Sequence, residues 1–193
     1  HTISITSNLK IIPIYNTIVK PHHKINFMKN DITNISVINH LILKYSNSYD
    51  FITGDGGVFL NNQYMFQEQK SIKLIASEIY IALNLLKNNG TFIIKFFDTF
   101  TQVSNILIYI LKSHFKNVYL HKPQSSRKTN SEKYIIAVQY NKKYTHRLLE
   151  SFHFLSTIIL SSYEFTDITD LIIKNNFLIN TPHLFTHLHR KTS

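Results

Sequence analysis

The chain has 193 residues, 44% of them hydrophobic and 17% charged, and carries a formal charge of +10. This is length and apolar material for one domain with a packed core, and it excludes a wholly disordered chain. There is no cysteine, so disulfides and thiolate metal sites are excluded, and no run approaches the roughly 20 apolar residues that a membrane-spanning helix needs. His1-Thr2-Ile3-Ser4 lacks the basic start and apolar run of a signal peptide. The expected setting is intracellular, the cytoplasm favoured and the nucleus left open, or the virion for a viral chain. Abundant Asn, Ile and Lys suggest an AT-rich coding genome, such as that of some large DNA viruses or parasites. The positive balance points to a polyanionic partner, since lysines that neutralise phosphates release counterions. A solvated, lysine-rich surface is the plainer alternative.

Taken in chain order, the pattern alternates. Ile3 to Ile14 is rich in β-formers, and Ile25 to Met28 reads as a short strand ending at Asn30-Asp31. A helix is expected from about Ile35 to Tyr45 and a strand from Tyr49 to Thr53. Gln67 to Asn88 carries Ile72, Ile75, Ala76, Ile79, Ala82, Leu83 and Leu86 at the spacing of an amphipathic helix. Thr91 to Phe97 reads as a buried strand and Gln102 to Phe115 as a helix. Val118 to Leu120 and Tyr134 to Tyr140 read as the last strands, separated by a polar loop from His121 to Lys133. Beyond Tyr140 the pattern loosens, which predicts a main unit over 1–140 and an extension with short helices over 141–193. Strand–helix alternation predicts an α/β fold, its sheet mostly parallel and covered by helices on both faces.

Four glycines are few enough to be informative. Gly54, Gly56 and Gly57 surround Asp55 just beyond a strand, where open α/β sheets place their ligand sites. Such glycines serve either a positive φ or a close approach of the backbone. Gly90 follows a helical pattern and precedes a strand, which predicts a helix C-cap.

Asp55, Lys95 and Glu132 fall at or just beyond the ends of consecutive predicted strands. Lys95 interrupts the apolar run Phe92-Ile93-Ile94-Lys95-Phe96-Phe97, and poor solvation of an amine favours its neutral, proton-accepting form. Two acids from neighbouring strands could orient it. A structural Lys–carboxylate pair, or a lysine reaching water from a strand end, remains the alternative.

The surroundings of these residues resemble a known family. Tyr49-Asp50-Phe51-Ile52-Thr53-Gly54-Asp55-Gly56-Gly57 resembles the D-x-[VI]-x-x-D-G-G segment of FtsJ-like ribose 2′-O-methyltransferases. Gly90-Thr91-Phe92-Ile93-Ile94-Lys95-Phe96-Phe97-Asp98 resembles their G-G-x-[FL]-[VI]-x-K-x-F-D, with Asn89 in place of the first glycine. Lys122-Pro123 through Asn130-Ser131-Glu132-Lys133-Tyr134 is similar to K-P-x-x-S-R-x-x-N-S-E-[RK]-Y. The resemblance implies a Rossmann-like fold, S-adenosyl-L-methionine as cofactor, no metal, and a Lys-Asp-Lys-Glu tetrad. Asp55 matches its Asp, Lys95 its second Lys and Glu132 its Glu. Lys95 would take the proton from a ribose 2′-hydroxyl. Asn30-Asp31-Ile32-Thr33 resembles the segment G-D-[IVF]-T, which implies that Asp31 and Ile32 meet the cofactor, with Asp55 completing that set. Read without the resemblance, Asp31 before Thr33 and an apolar helix is an ordinary N-cap.

Asn130 to Tyr134, Gln67-Glu68 and Glu164-Phe165-Thr166-Asp167 resemble the mRNA cap branch more than the ribosomal branch. The partner implied is capped RNA, with Gln67, Arg127, Asn130 and Glu132 as substrate contacts. Lys112, Lys116, Lys122, Arg127, Lys128 and Lys133 would supply an RNA-backbone track or ordinary surface charge. No glycine-rich cofactor loop precedes Gly54, and Lys10, Lys20 and Lys24 do not match the tetrad's first lysine. The expectation is that the chain lacks an N-terminal portion with both; the alternative is a non-catalytic, degenerate RNA-binding or partner subunit. His183, His187 and His189 form an H-x-x-x-H-x-H pattern that reads as an exposed tail rather than a metal site.

Overall fold

Phe92, Ile94 and Phe96 alternate with Thr91, Ile93 and Lys95, and that period-2 pattern makes the central strand of the computed structural model, which describes residues 2–6, 25–58, 64–124, 126, 129–143 and 146–161. Element order is β1 (Thr2–Thr6), β2 (Ile25–Lys29), α1 (Ile35–Tyr45), β3 (Tyr49–Gly54), a 3-10 turn (Tyr64–Phe66), α2 (Gln67–Leu85), β4 (Leu86–Phe96), α3 (Gln102–His114), β5 (Phe115–His121), β6 (Lys133–Tyr140) and α4 (His146–Leu160). β1 and β2 form a parallel two-stranded sheet, and the other four strands a sheet of order β3-β4-β6-β5.

The α/β class expected from the sequence holds, but the four-stranded sheet is mixed. β3 and β4 run parallel, whereas β6 enters antiparallel between β4 and β5. The polar segment 122–132 makes this possible, because an antiparallel return needs only a loop while a parallel return needs a crossover. Inward-facing Phe92, Ile94 and Phe96 are almost fully buried, and Thr91, Ile93 and Lys95 lie half-buried on the opposite face.

Two sequence expectations about the α2–β4 junction are corrected. The helix stops at Leu85 rather than Asn88, and Gly90 lies inside β4 rather than at a helix C-cap. The register jumps from Tyr49↔Leu86 to Phe51↔Thr91, so residues 87–90 bulge opposite Asp50. Asn89 takes the left-handed position of that bulge, with φ of 65°, a conformation asparagine tolerates better than most residues. Gly90 is kept small by space: a Cβ there would stand 2.9 Å from the carbonyl oxygen of Lys87. Glycine after a helical pattern signals a C-cap or a bulge equally well, and only pairing with β3 separates them.

The first part of the expected extension is built into the core. α4 is a 15-residue helix whose Phe154, Leu155, Ile158 and Ile159 are buried in the same cluster as the α2 and α3 residues. Phe152 of α4 meets Tyr80 of α2 edge-on at 5.2 Å between ring centroids. His114 of α3 lies within 2.9 Å of the Ser151 hydroxyl of α4, and both are buried. Residues 7–14, Glu164 to Asp167 and the terminal histidines, where further expectations fell, lie outside the described residues. No helix among the described residues is long and apolar enough to cross a membrane.

Burial, helped by the charge of Arg147, lowers the His114 imidazole from 6.5 to about 4. The folded state therefore holds this proton less well than the unfolded chain. The stability contributed by a neutral His114 is present above pH 6.5 and is lost as pH falls toward 4. His114→Gln should remove that acid-side loss, so that its Tm gains on the wild type's as pH falls from 6.5 toward 4; a constant difference between the two would show that the imidazole does not titrate this way.

Candidate active site

The register of β4 builds the site. Gly54, the last residue of β3, pairs with Ile94, so the next residue, Asp55, emerges beside Lys95. On the other edge of β4, Lys95 pairs directly with Tyr134 of β6. The Lys95 ammonium donates to the Asp55 carboxylate (Nζ to Oδ1 2.9 Å) and to the Asp55 carbonyl oxygen at 3.1 Å. The Tyr134 hydroxyl lies 3.2 Å from the same Oδ1 of Asp55 and 3.1 Å from Oε1 of Glu132. Asp55 and Lys95 are thus in direct contact, and Glu132 reaches them through the Tyr134 hydroxyl, a link that no local feature of the sequence signals.

Exposure differs across the pair. The Lys95 side chain is 14% exposed and the Asp55 side chain 65%. A pair this open on one side is worth about 1 kcal/mol or less, too little for stability to account for a lysine held inside a sheet. The Lys95 ammonium also stands 6.0 Å from the centre of the Phe97 ring. Burial, and then the charges of Asp55 and Glu132, hold the Tyr134 phenol well above its ordinary range, so it stays protonated and acts as a donor.

Two carboxylates of α2 hold loops that leave the sheet after β3 and β4. Glu68 is buried, and it accepts from the backbone N–H of Phe100 and Thr101 and from the Thr101 hydroxyl, at 3.2, 2.8 and 2.8 Å. A negative charge is thereby placed at the N-terminus of α3, where the helix dipole favours it. Glu78 is equally enclosed, 7% exposed, and accepts from the Gly56 N–H at 3.0 Å. A Cβ on Gly54 would stand 2.8 Å from Cδ of Glu78, and one on Gly56 would stand 2.7 Å from its Oε1. Neither glycine has a positive φ. A side chain at either position would push that carboxyl aside. Burial raises the Glu78 carboxyl from 4.5 to about 7, against the lowering effects of the Gly56 hydrogen bond and the Lys95 charge; Asp55 adds to the rise. The sequence did contain a signal: Glu78 lies three residues after Ile75 and four before Ala82, on the apolar stripe of α2.

The other predicted contacts are more dispersed. Asp31 and Ile32 follow β2; the Asp31 carboxylate caps its own turn through the N–H and hydroxyl of Thr33, leaving the N-cap of α1 to Asn34. Gln67 opens α2, and its carbonyl accepts from the Ser71 hydroxyl. Asn130 accepts from Lys122 through both its carbonyl and its side chain, and its side-chain oxygen also accepts from Ser126. Lys122 donates as well to the Glu132 carbonyl at 3.1 Å, so it ties the 122–132 loop together below the site. Arg127 lies outside the described residues.

Comparison with known proteins gives the family of the chain. Residues 12–140 match the family described as FtsJ-like methyltransferase. Over 134 residues the chain is 33% identical to cap-specific mRNA (nucleoside-2′-O-)-methyltransferase 2 of Drosophila melanogaster, covering 64% of this chain and 19% of that protein. It is 37% identical over 105 residues to the human cap-specific mRNA (nucleoside-2′-O-)-methyltransferase 1, covering 53% of this chain and 13% of that one. The chain therefore spans a fifth or less of the length of these relatives. A structure described as a ribosomal RNA methyltransferase from Plasmodium falciparum superposes with a TM-score of 0.51 at 20% identity, over 72% of this chain and 71% of the other, a likeness of fold.

Glu78 and His114 act on stability with opposite signs. A carboxyl raised on folding makes the folded state the better proton holder, so its contribution is complete below pH 4.5 and is lost as pH rises through about 7. The two slopes overlap between about pH 4.5 and 6.5 and offset each other. Glu78→Gln should therefore uncover a Tm that falls with acid, and His114→Gln one that rises with acid. Melting curves of both variants across pH 4 to 8 check this, and parallel slopes would refute it.

Proposed function

Because the chain belongs to the FtsJ-like methyltransferase family, we propose that the protein transfers a methyl group from S-adenosyl-L-methionine to a ribose 2′-hydroxyl near the 5′ end of capped mRNA. The observation that carries this reading is Lys95: an amine 14% exposed inside a strand, gripped by Asp55 on one side and register-paired with Tyr134 on the other. Asp55 stands beyond the end of parallel β3 and Asp31 beyond the end of parallel β2, the strand ends at which α/β sheets receive ligands. Asp31 is exposed, and Oδ2 of its carboxylate is the atom not engaged by Thr33, which suits an acceptor for cofactor hydroxyl or amino groups; Ile32 and Asp55 would complete that contact.

When bound, S-adenosyl-L-methionine supplies a methyl group activated on a sulfonium. Lys95 would accept the proton of the ribose 2′-hydroxyl and so free that oxygen to take the methyl group. Asp55 fixes the direction of Nζ through its two contacts, and its exposed carboxylate passes the proton from Lys95 to water after transfer. Tyr134 holds Asp55 from the β6 side, and Glu132, Gln67, Arg127 and Asn130 contact the RNA. Placement of charge and reacting atoms supplies the acceleration. Support for the cap, over other RNA, comes from the similarity to the cap-specific methyltransferases 2 of Drosophila melanogaster and 1 of human, and from the Gln67-Glu68 and Asn130 to Tyr134 segments.

Tritium transfer by the full-length protein should be strong on capped RNA fragments and weak on uncapped or ribosomal ones; equal labelling would remove the cap assignment, and no labelling would favour a non-catalytic subunit. In single-turnover assays Lys95→Ala and Lys95→Arg should both lose about a hundredfold or more, because arginine keeps the charge but cannot accept a proton. Near-normal turnover by the arginine variant, at unchanged Tm, would sink the general-base role.

A further inference from the structure

Glu78 is a buried carboxyl at a helix–sheet contact that has, among the described residues, one hydrogen-bond donor from the backbone, that of Gly56. A glutamine would accept from the same N–H without bringing an ionisable group into a buried setting, and burying such a group is costly. What the carboxyl adds is a charge that titrates near neutrality next to two charged groups, Asp55 at the end of β3 and Lys95 on β4. Leu74, from the same helix, closes the remaining side against Gly56. The carboxyl sits against both residues that flank Asp55, Gly54 and Gly56, closely enough that a side chain on either would displace it.

We propose that Glu78 is a positioning residue: from beneath the Gly54–Gly57 turn, its carboxyl sets where Asp55 meets Lys95. The chain of contacts is short. Glu78 holds the Gly56 N–H, Gly56 follows Asp55, and Asp55 gives Lys95 both its side-chain and its carbonyl oxygen. When Glu78 ionises, its bond to Gly56 becomes charge-assisted and tightens. The same negative charge attracts the Lys95 ammonium and repels the Asp55 carboxylate, so the geometry of the pair follows the state of Glu78. Only the kinetic consequence of this inference rests on the methyl-transfer reading above.

The test uses the full-length protein, with thermal melting as the folding control. Glu78→Ala should lower kcat for methyl transfer to capped RNA by about tenfold or more and leave KM for RNA within about twofold. Glu78→Gln, which can still accept from Gly56, should restore most of that rate but lose the inflection near pH 7 of the wild-type profile. Gly56→Ala should mimic the alanine variant by pushing the carboxyl aside. Independently of any activity, the Gly56 amide resonance should titrate around pH 7 in the wild type and stay flat in Glu78→Gln. A Gly56 amide that ignores pH, an alanine variant with wild-type kcat, or a glutamine variant whose pH profile overlays the wild type's would each overturn the inference. A wild-type protein without methyl transfer would instead overturn the functional reading, and the Gly56 titration would then decide the role of Glu78 by itself.

Discussion

Strand β4 is hydrogen-bonded along both edges, parallel to β3 and antiparallel to β6, and its position governs the geometry of the site. A strand paired on both sides cannot slip by one residue without turning its whole apolar set to the other face. Phe92, Ile94 and Phe96 lock that register because they are nearly fully buried on one face. Lys95, between two of them, is thereby committed to the opposite face, with Asp55 beside it on one edge and Tyr134 on the other. The lysine owes its place to the phenylalanines and isoleucine around it, not to its own interactions.

The loops at the site are held from one helix. Glu68 and Glu78 lie ten residues apart on α2, and each turns a buried carboxylate toward backbone N–H groups of a loop that leaves the sheet. Their environments differ in donor supply. Glu68 is met by two backbone N–H groups and a hydroxyl and serves as an anchor for the start of α3. Among the described residues Glu78 has the Gly56 N–H alone from the backbone, and burial dominates its titration. An acid so placed costs stability at neutral pH, and proteins retain such costs mostly where a site needs them.

Neutral His114 and the α3–α4 contact it joins sit on the other side of this balance. The imidazole bridges to Ser151 while Phe154, Leu155, Ile158 and Ile159 of α4 fill the core. Helix α4 thus belongs to the packed body that supports β4.

Sequence alone determined the element order and the ends of α1 to within a residue, and it singled out Asp55, Lys95 and Glu132 as candidates, because hydrophobic period and short motifs are local properties. It also exposed the family, whose motifs are contiguous stretches. The antiparallel entry of β6, the bulge at Asn89-Gly90, the bridging role of Tyr134 and the wedge formed by Glu78 were decided by tertiary structure. Each depends on residues far apart in the chain, Glu78 with Gly56 and Tyr134 with Asp55, brought together by strand pairing. A buried acid on an apolar stripe was visible in the sequence. Its partner was not, because nothing local says which backbone N–H will meet a carboxyl once helix and sheet have packed.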